Sequence, residues 1–248
     1  MREAIVGLLV MMCLLVAGNS SALTIVVEET TPAVFYGQDG RLTGIFVDVI
    51  EELKRRTGED ASIEVVPWAR AYRIAREQPD TLLAPTTRTA DREHMFFWLG
   101  PIITQKWAIY GLEGRAPLTS MEEARTLRSI GVVRGDARAE FLRGQGFTNL
   151  VEVKAGELNV VKLKARRIEA MVSSNIGIAG FSFVEDVSAS GIVPLLTLKE
   201  VGLYLAFSQG SDPVMVDKWR TALNSMRRDG TFQRIHEKWL PGQPLPVR

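Results

Sequence analysis

The residue types able to grip a small charged molecule gather at a few points along the chain. Thr86-Thr87-Arg88-Thr89-Ala90-Asp91-Arg92-Glu93 sets two guanidiniums four residues apart beside paired hydroxyls. A guanidinium in a cleft holds a carboxylate through two parallel hydrogen bonds, and Thr87 adds a hydroxyl and a backbone N–H for the same anion. Arg92 or Arg88 suits the part; the competing roles are an ion pair of Arg92 with Asp91 or Glu93 and plain exposure of Arg88. Asp136, in Arg134-Gly135-Asp136-Ala137, stands where a strand passes into a helix. Its carboxylate either caps that helix or receives a cationic or hydroxylated group. Phe35, Tyr36 and Trp68 lie near expected strand ends, as cleft walls or as core. Glu28 and Glu29 end the first expected strand, lining the cleft or solvated.

Other chemistries find little support. Gly180-Phe181-Ser182-Phe183-Val184 lacks the final glycine of a nucleophile elbow. The two histidines, His94 and His236, have no metal-ligand spacing and are expected on surfaces. Gly144-Gln145-Gly146 is not followed by the third glycine of a dinucleotide loop. Glu28, Glu29 and Asp136 stay open as general acids, but the reading is a protein that is not an enzyme and needs no metal or cofactor.

The elements that position these residues begin after an N-terminal apolar run. Met1-Arg2-Glu3, the stretch 5–17 and Asn19-Ser20-Ser21-Ala22 have the layout of a secretory signal cleaved after Ala22, with expected export to the periplasm. The run is short for a membrane span, which takes about 20 residues. Cys13, the single cysteine, lies inside it, so neither a disulfide nor a lipid anchor is expected. Removing 22 residues from 248 leaves about 226, enough for one large domain or two lobes. A net charge of +1 provides no field to draw nucleic acid.

Hydrophobic periodicity predicts strands at 23–27, 63–66 and 81–84 alternating with helices at 45–57 and 68–76, hence parallel strands covered by helices. Apolar runs at 95–98 and 106–112, split by Gly100-Pro101, carry no helix. A second alternation follows: helix 120–127 with a capping box at Ser120 and Glu123, strand 129–133, helix 137–145, strand 150–153, helix 158–166, strand 169–172, helix 176–184 and strand 192–196. The run 202–207 crosses back, and helices 212–226 and 231–239, broken at Asp229-Gly230, close the chain. Trp219, Phe232 and Trp239 recur at helical spacing and are assigned to core. Lobe 1 is expected to comprise 23–110 and 204–248, with 111–203 inserted as lobe 2.

Three segments resemble the periplasmic solute-binding proteins of family 3, the polar amino-acid type. They are Gly44-Ile45-Phe46-Val47-Asp48-Val49, the stretch 85–93 leading to Trp98 and Gly100-Pro101, and Ala222-Leu223-Asn224 through Asp229-Gly230-Thr231 to Lys238-Trp239-Leu240. They stand in family order, and the likeness spans the whole chain after residue 22. The resemblance implies a type II periplasmic binding fold: two α/β lobes, each a mixed, mostly parallel sheet flanked by helices, joined by two crossing strands and closing on ligand. It implies that Arg92 matches the family's carboxylate binder and Thr87 its hydroxylated neighbour. After Arg167-Ile168-Glu169-Ala170-Met171-Val172 the family leads to an acidic residue for an α-ammonium; here Ser173-Ser174-Asn175 stand instead. Ser174 and Asn175 accept hydrogen bonds but supply no counter-charge. The function implied is capture of a small polar, carboxylate-bearing solute by a monomer that delivers it to the membrane permease of an ABC transporter. A periplasmic sensor touching a receptor, and a dehydratase-like enzyme on the same fold, are the alternatives.

Overall fold

The computed structural model describes residues 23–181 and 187–247. The expected signal segment 1–22, and the last part of the helix expected at 176–184, lie outside the described residues. One eight-stranded sheet runs through the molecule, built from β1 (Thr24–Val27), β4 (Ile63–Val65), β5 (Thr81–Thr87), β6 (Phe96–Leu112), β7 (Ile130–Val133), β8 (Leu150–Val153), β9 (Ala170–Ser174) and β10 (Ile192–Ser208), in the order β4-β1-β5-β10-β6-β9-β7-β8. A small hairpin of β2 (Phe35–Tyr36) and β3 (Leu42–Thr43) stands apart. The outer strands pair in parallel, β1 with β4 and β5, and β7 with β8 and β9. Only the two long central strands run antiparallel to their neighbours.

The helices cover the sheet: α1 (Ile45–Thr57), α2 (Trp68–Glu77), α3 (Met121–Arg125), α4 (Ala137–Gly144), α5 (Gly156–Lys164), α6 (Asn175–Gly180), α7 (Pro213–Arg228) and α8 (Thr231–Trp239), with a 3₁₀ turn at Ala90–Met95. Four apolar clusters fill the interior. Two flank the β4-β1-β5 side, around Ile25, Phe46 and Trp219 and around Trp68, Ala71 and Phe96. Two flank the β9-β7-β8 side, around Ile130, Val132 and Leu142 and around Val160, Leu163 and Met171. Each half therefore has a sheet buried on both faces, which suits its near-continuous apolar strands. This is the expected two-lobed α/β architecture. Core contacts change over between Ile103 and Ala108 in β6 and between Leu198 and Leu203 in β10.

The apolar runs at 95–98 and 106–112 are one strand of 17 residues, and those at 192–196 and 202–207 are another. Gly100-Pro101 reads locally as a break, but β6 is carried through it by pairing with β10. The register shifts between Leu203 and Leu205, and the Tyr204 ring lies where a Cβ on Gly100 or Gly202 would come within 3 Å.

Local signals explain most helix ends. Gly44 opens α1 at φ 125°, with its α-carbon so close to Ala33 that a Cβ would meet the carbonyl oxygen at 2.4 Å. Asp212 caps α7 and Pro213 follows at its first turn. Ser120 caps α3 by accepting from the Glu123 N–H at 3.2 Å, while the Glu123 carboxylate reaches past it to the Thr119 N–H at 2.7 Å. Arg56 ties α1 to the α7–α8 corner, with Nε 2.6 Å from Glu52 and Nη1 2.7 Å from Asp229. His236 corrects a surface expectation: it is buried on Phe232, and loss of solvent lowers its pKa. His94 is exposed.

Candidate functional site

The C-terminal ends of the parallel strands in both halves point toward the crossing strands, and the loops leaving them meet there. The β1–β2 loop brings Glu28, Thr30 and Thr31; β5 and the 3₁₀ turn bring Thr86, Thr87 and Arg92. From the other half, the β7–α4 junction brings Asp136 and Arg138, and the β9–α6 junction brings Ser174 and Gly177. Together they enclose a cavity of about 80 Å³. Such a place, outside the carboxyl ends of parallel strands, is where open α/β sheets bind ligands.

Of the residues picked out from sequence, Glu28, Trp68, Thr87, Arg92, Asp136 and Ser174 border this cavity. Tyr36 lies away from it, half exposed on the small hairpin, and Phe35 packs edge-on against Trp239. Asn175 is exposed, and its Oδ1 accepts from the Lys106 N–H at 2.8 Å. Arg88 turns outward to pair with Glu93 and cover Trp98 and Tyr204.

Arg92 is 1% exposed. Its guanidinium stacks on Tyr72 and Trp68, 4.8 and 5.4 Å from the ring centroids, an attraction that strengthens with desolvation. Nη2 and Nε donate to the Glu140 carboxylate at 2.7 and 3.2 Å, and Nη2 also reaches the Gly135 carbonyl at 3.3 Å. Trp68 Nε1 donates to the same carbonyl at 2.8 Å. The competing role, an ion pair with neighbouring Asp91 or Glu93, is not what forms: the pair is made across the cleft, to a carboxylate 48 residues away. These bonds hold the halves together with Arg92 at the cavity edge.

Asp136 serves two ends. It caps α4 by accepting from the Arg138 N–H at 2.7 Å, and both its oxygens accept from the Arg138 guanidinium at 2.7 Å. Burial pushes its pKa upward, but the guanidinium overrides this and holds it below the usual value. Ser174 caps α6, accepting from the Gly177 N–H at 2.9 Å. Glu28 has no such partner among the hydrogen bonds of the described residues. Burial, with Asp136 and Glu157 nearby, pushes its carboxyl up to about 8.

Sequence reasoning missed Arg138, Glu140, Thr86 and Gln105. Arg138 had a usable signal, standing two residues beyond a helix-capping Asp, where side chain and backbone share one carboxylate. Thr86 shared the signal of Thr87, standing in the same hydroxyl-rich stretch, whereas Gln105, between Thr104 and Lys106, belongs to no motif. Both are buried at the cavity, and Thr86 Oγ1 has no partner. Among the described residues no group of three or more metal-ligating side chains occurs, and no helix is long and apolar enough to cross a membrane.

Residues 23–242 match the family described as bacterial extracellular solute-binding proteins, family 3. The chain is 23% identical over 261 residues to the L-cystine-binding protein TcyJ of Escherichia coli, covering 96% of this chain and 95% of that one. It is 20% identical over 211 residues to the arginine-binding extracellular protein ArtP of Bacillus subtilis, covering 84% and 82%. Among solved structures, a histidine kinase sensor domain with similarity to periplasmic binding proteins superposes with a TM-score of 0.80 at 18% identity, covering 91% of this chain and 98% of that one.

Proposed function

The chain belongs to family 3 of the bacterial extracellular solute-binding proteins, and from that premise we propose that it captures a small, carboxylate-bearing, amino-acid-like solute between its lobes. It acts as a monomer outside the cytoplasmic membrane and passes the solute to the permease of an ABC-type transporter. One observation carries the reading: a cavity walled by both halves is bordered by two guanidiniums, Arg92 and Arg138, and by the unpartnered Thr86 hydroxyl. A carboxylate entering there gains charge-assisted hydrogen bonds. We take the lobe boundaries to lie inside the crossing strands, a few residues before 110 at the first crossing, a reading supported by the core contacts that pass there from one half to the other.

Small solutes are screened by their effect on melting of the refolded protein, with hits measured by calorimetry and recovered for mass analysis. A solute bound to the folded state alone raises stability by roughly 2.7 kcal/mol at a hundredfold excess over its dissociation constant. Carboxylate-bearing hits, recovered unchanged and weakened in Arg92→Ala, are expected. Hits confined to solutes without a carboxylate, or a solute returned chemically altered, would overturn the reading, the latter in favour of an enzyme. Binding without stimulation of transport in reconstituted permease would favour a sensor.

A further inference from the structure

Leu158 and Val161 stand out on the surface of the β9-β7-β8 half, 46% and 52% exposed. Among the described residues they are the only two large, exposed apolar side chains that share one helix or strand. Both lie on α5, whose inner face buries Asn159, Val160 and Leu163. At about 100° per residue, Leu158, Val161 and Ala165 fall together on the opposite side, toward solvent. A surface helix ordinarily turns polar residues outward, whereas α5 is apolar on both sides.

Cations frame this outer strip. Lys162 and Lys164 flank it, and Arg166 and Arg167 follow at the end of the helix. Among the described residues none of these four side chains makes a hydrogen bond or an ion pair. Arg166 ends the helix at φ 56°, the left-handed conformation that glycine usually supplies at this place. A long charged side chain thus stands where local preference is for none. With Arg115 and Arg128, Arg166 also borders a crevice of about 390 Å³ over Leu163 and Ile168. Two carboxylates line that crevice as well, Glu113 and Glu169. Glu169 is already held by Arg128, through its N–H at 2.6 Å and its Nε at 3.1 Å, which leaves Glu113 against two guanidiniums.

The size and charge of the strip say what covers it. A stable protein interface takes about 800 Å² from each partner, more than two apolar side chains on one outer helix face provide. An anionic bilayer asks for less: unpaired cations for the head groups and a few apolar side chains for the boundary with the acyl chains.

We propose that the outer face of α5 docks on an anionic phospholipid surface. Lys162, Lys164, Arg166 and Arg167 meet the head groups, Leu158 and Val161 enter the acyl boundary, and the crevice of Arg115, Arg128 and Arg166 takes one phosphodiester, which guanidiniums grip through paired hydrogen bonds.

Sedimentation with vesicles tests this on the chain from Leu23 onward, which holds every described strand and helix and omits the apolar N-terminal run. The protein is expected to partition onto vesicles of phosphatidylglycerol and phosphatidylcholine in about equal parts, to ignore pure phosphatidylcholine, and to come off as salt is raised. One cation near such a surface contributes roughly fivefold, so Lys164→Ala with Arg167→Ala should weaken partition about tenfold or more. Leu158→Gln should weaken it about threefold. Lys218→Ala with Arg228→Ala, two exposed cations of α7, removes the same charge elsewhere and should cost less than about twofold. Every side chain replaced is exposed, so all variants should melt with the parent. No partition onto the anionic vesicles, equal partition onto both kinds, undiminished binding in the α5 pair, or equal losses in the α5 and α7 pairs would each overturn the proposal. So would an α5 pair that still binds vesicles but no longer stimulates a permease reconstituted in phosphatidylcholine, since the face then belongs to an acidic protein partner.

Discussion

Closure depends on a contact that only glycine allows. Gly180 ends α6 against the loop after β1, where a Cβ would sit 2.1 Å from the Thr31 carbonyl oxygen and 2.8 Å from its carbon. A carbon–oxygen contact is comfortable near about 3.3 Å, so Gly180→Ala demands roughly 1 Å more space. Ala33 and Val34 after Thr31 pack in the core on the β4-β1-β5 side, and Phe181 after Gly180 packs in the core on the β9-β7-β8 side, with Ile176 of α6 bridging to the former, so the expected relief is a parting of the two halves at this contact. Arg92 to Glu140 at 2.7 Å and Trp68 to Gly135 at 2.8 Å then stretch beyond useful range. A hydrogen bond to a charged group contributes about 1.5–3 kcal/mol and a neutral one about 0.5–1.5, so the closed state loses roughly 2–4 kcal/mol. Apparent affinity follows the closed fraction, giving a drop of about 30- to 1,000-fold. The helix itself prefers alanine by about 1 kcal/mol, so the lobes stay folded. Calorimetry on a confirmed solute measures the loss, and small-angle scattering with saturating solute should show a more open particle. Wild-type affinity and a closed scattering profile in Gly180→Ala would refute the argument.

Other expectations can be checked with purified variants. Glu140→Gln removes the cross-cleft ion pair but leaves Arg92 beside the solute, so it should weaken binding by about tenfold or less while Arg92→Ala costs more; equal losses would make Arg92 a tie between lobes only. Without ligand, Glu28 holds a proton in the folded state up to about 8 that the unfolded chain releases above about 4.5. Unfolding thus releases a proton in that window, and stability falls as pH rises through it. Glu28→Gln should flatten this slope and raise the melting temperature at pH 8 but not at pH 4, by about 2–4 °C for each kcal/mol; an unchanged slope in differential scanning fluorimetry would rule it out. Arg56→Ala frees α1 from the α7–α8 corner and should cost roughly 1–2 kcal/mol in urea unfolding after allowance for solvent screening. The Arg56 partner Glu52, whose pKa its arginine neighbours lower to about 2, should make that cost shrink as pH falls from about 4.5 toward 2.

The fold was legible where the signal is local. α1 occupies the residues its apolar spacing predicts, because a glycine stands at each end and Ile45, Val49, Ile50 and Leu53 share one buried face. The alternation of strand and helix on each side of the crossing was readable for the same reason. The continuity of β6 and β10 was not: each borrows order from the other across pairs as distant as Ile192 with Leu112 and Ser208 with Phe96. No window of sequence around Gly100 contains that partner.

The site divides along the same line. A residue at the end of a parallel strand is brought to the cleft by topology alone, so Glu28, Thr87, Asp136 and Ser174 were recognisable by position. What each does there depends on a partner chosen in three dimensions. Arg88 and Arg92 are chemically alike and four residues apart, yet Glu93 draws one to the surface while Tyr72, Trp68 and Glu140 enclose the other. Spacing cannot separate them, because the deciding rings and carboxylate come from α2 and α4. Arg92 also shows why local matching to a binding role is incomplete. A guanidinium already holding Glu140 can serve a solute only by sharing its charge between the closing contact and the guest. Solute and closure then strengthen or fail together, so an affinity measured in Arg92→Ala alone cannot apportion them, whereas the double-mutant cycle with Glu140→Gln can.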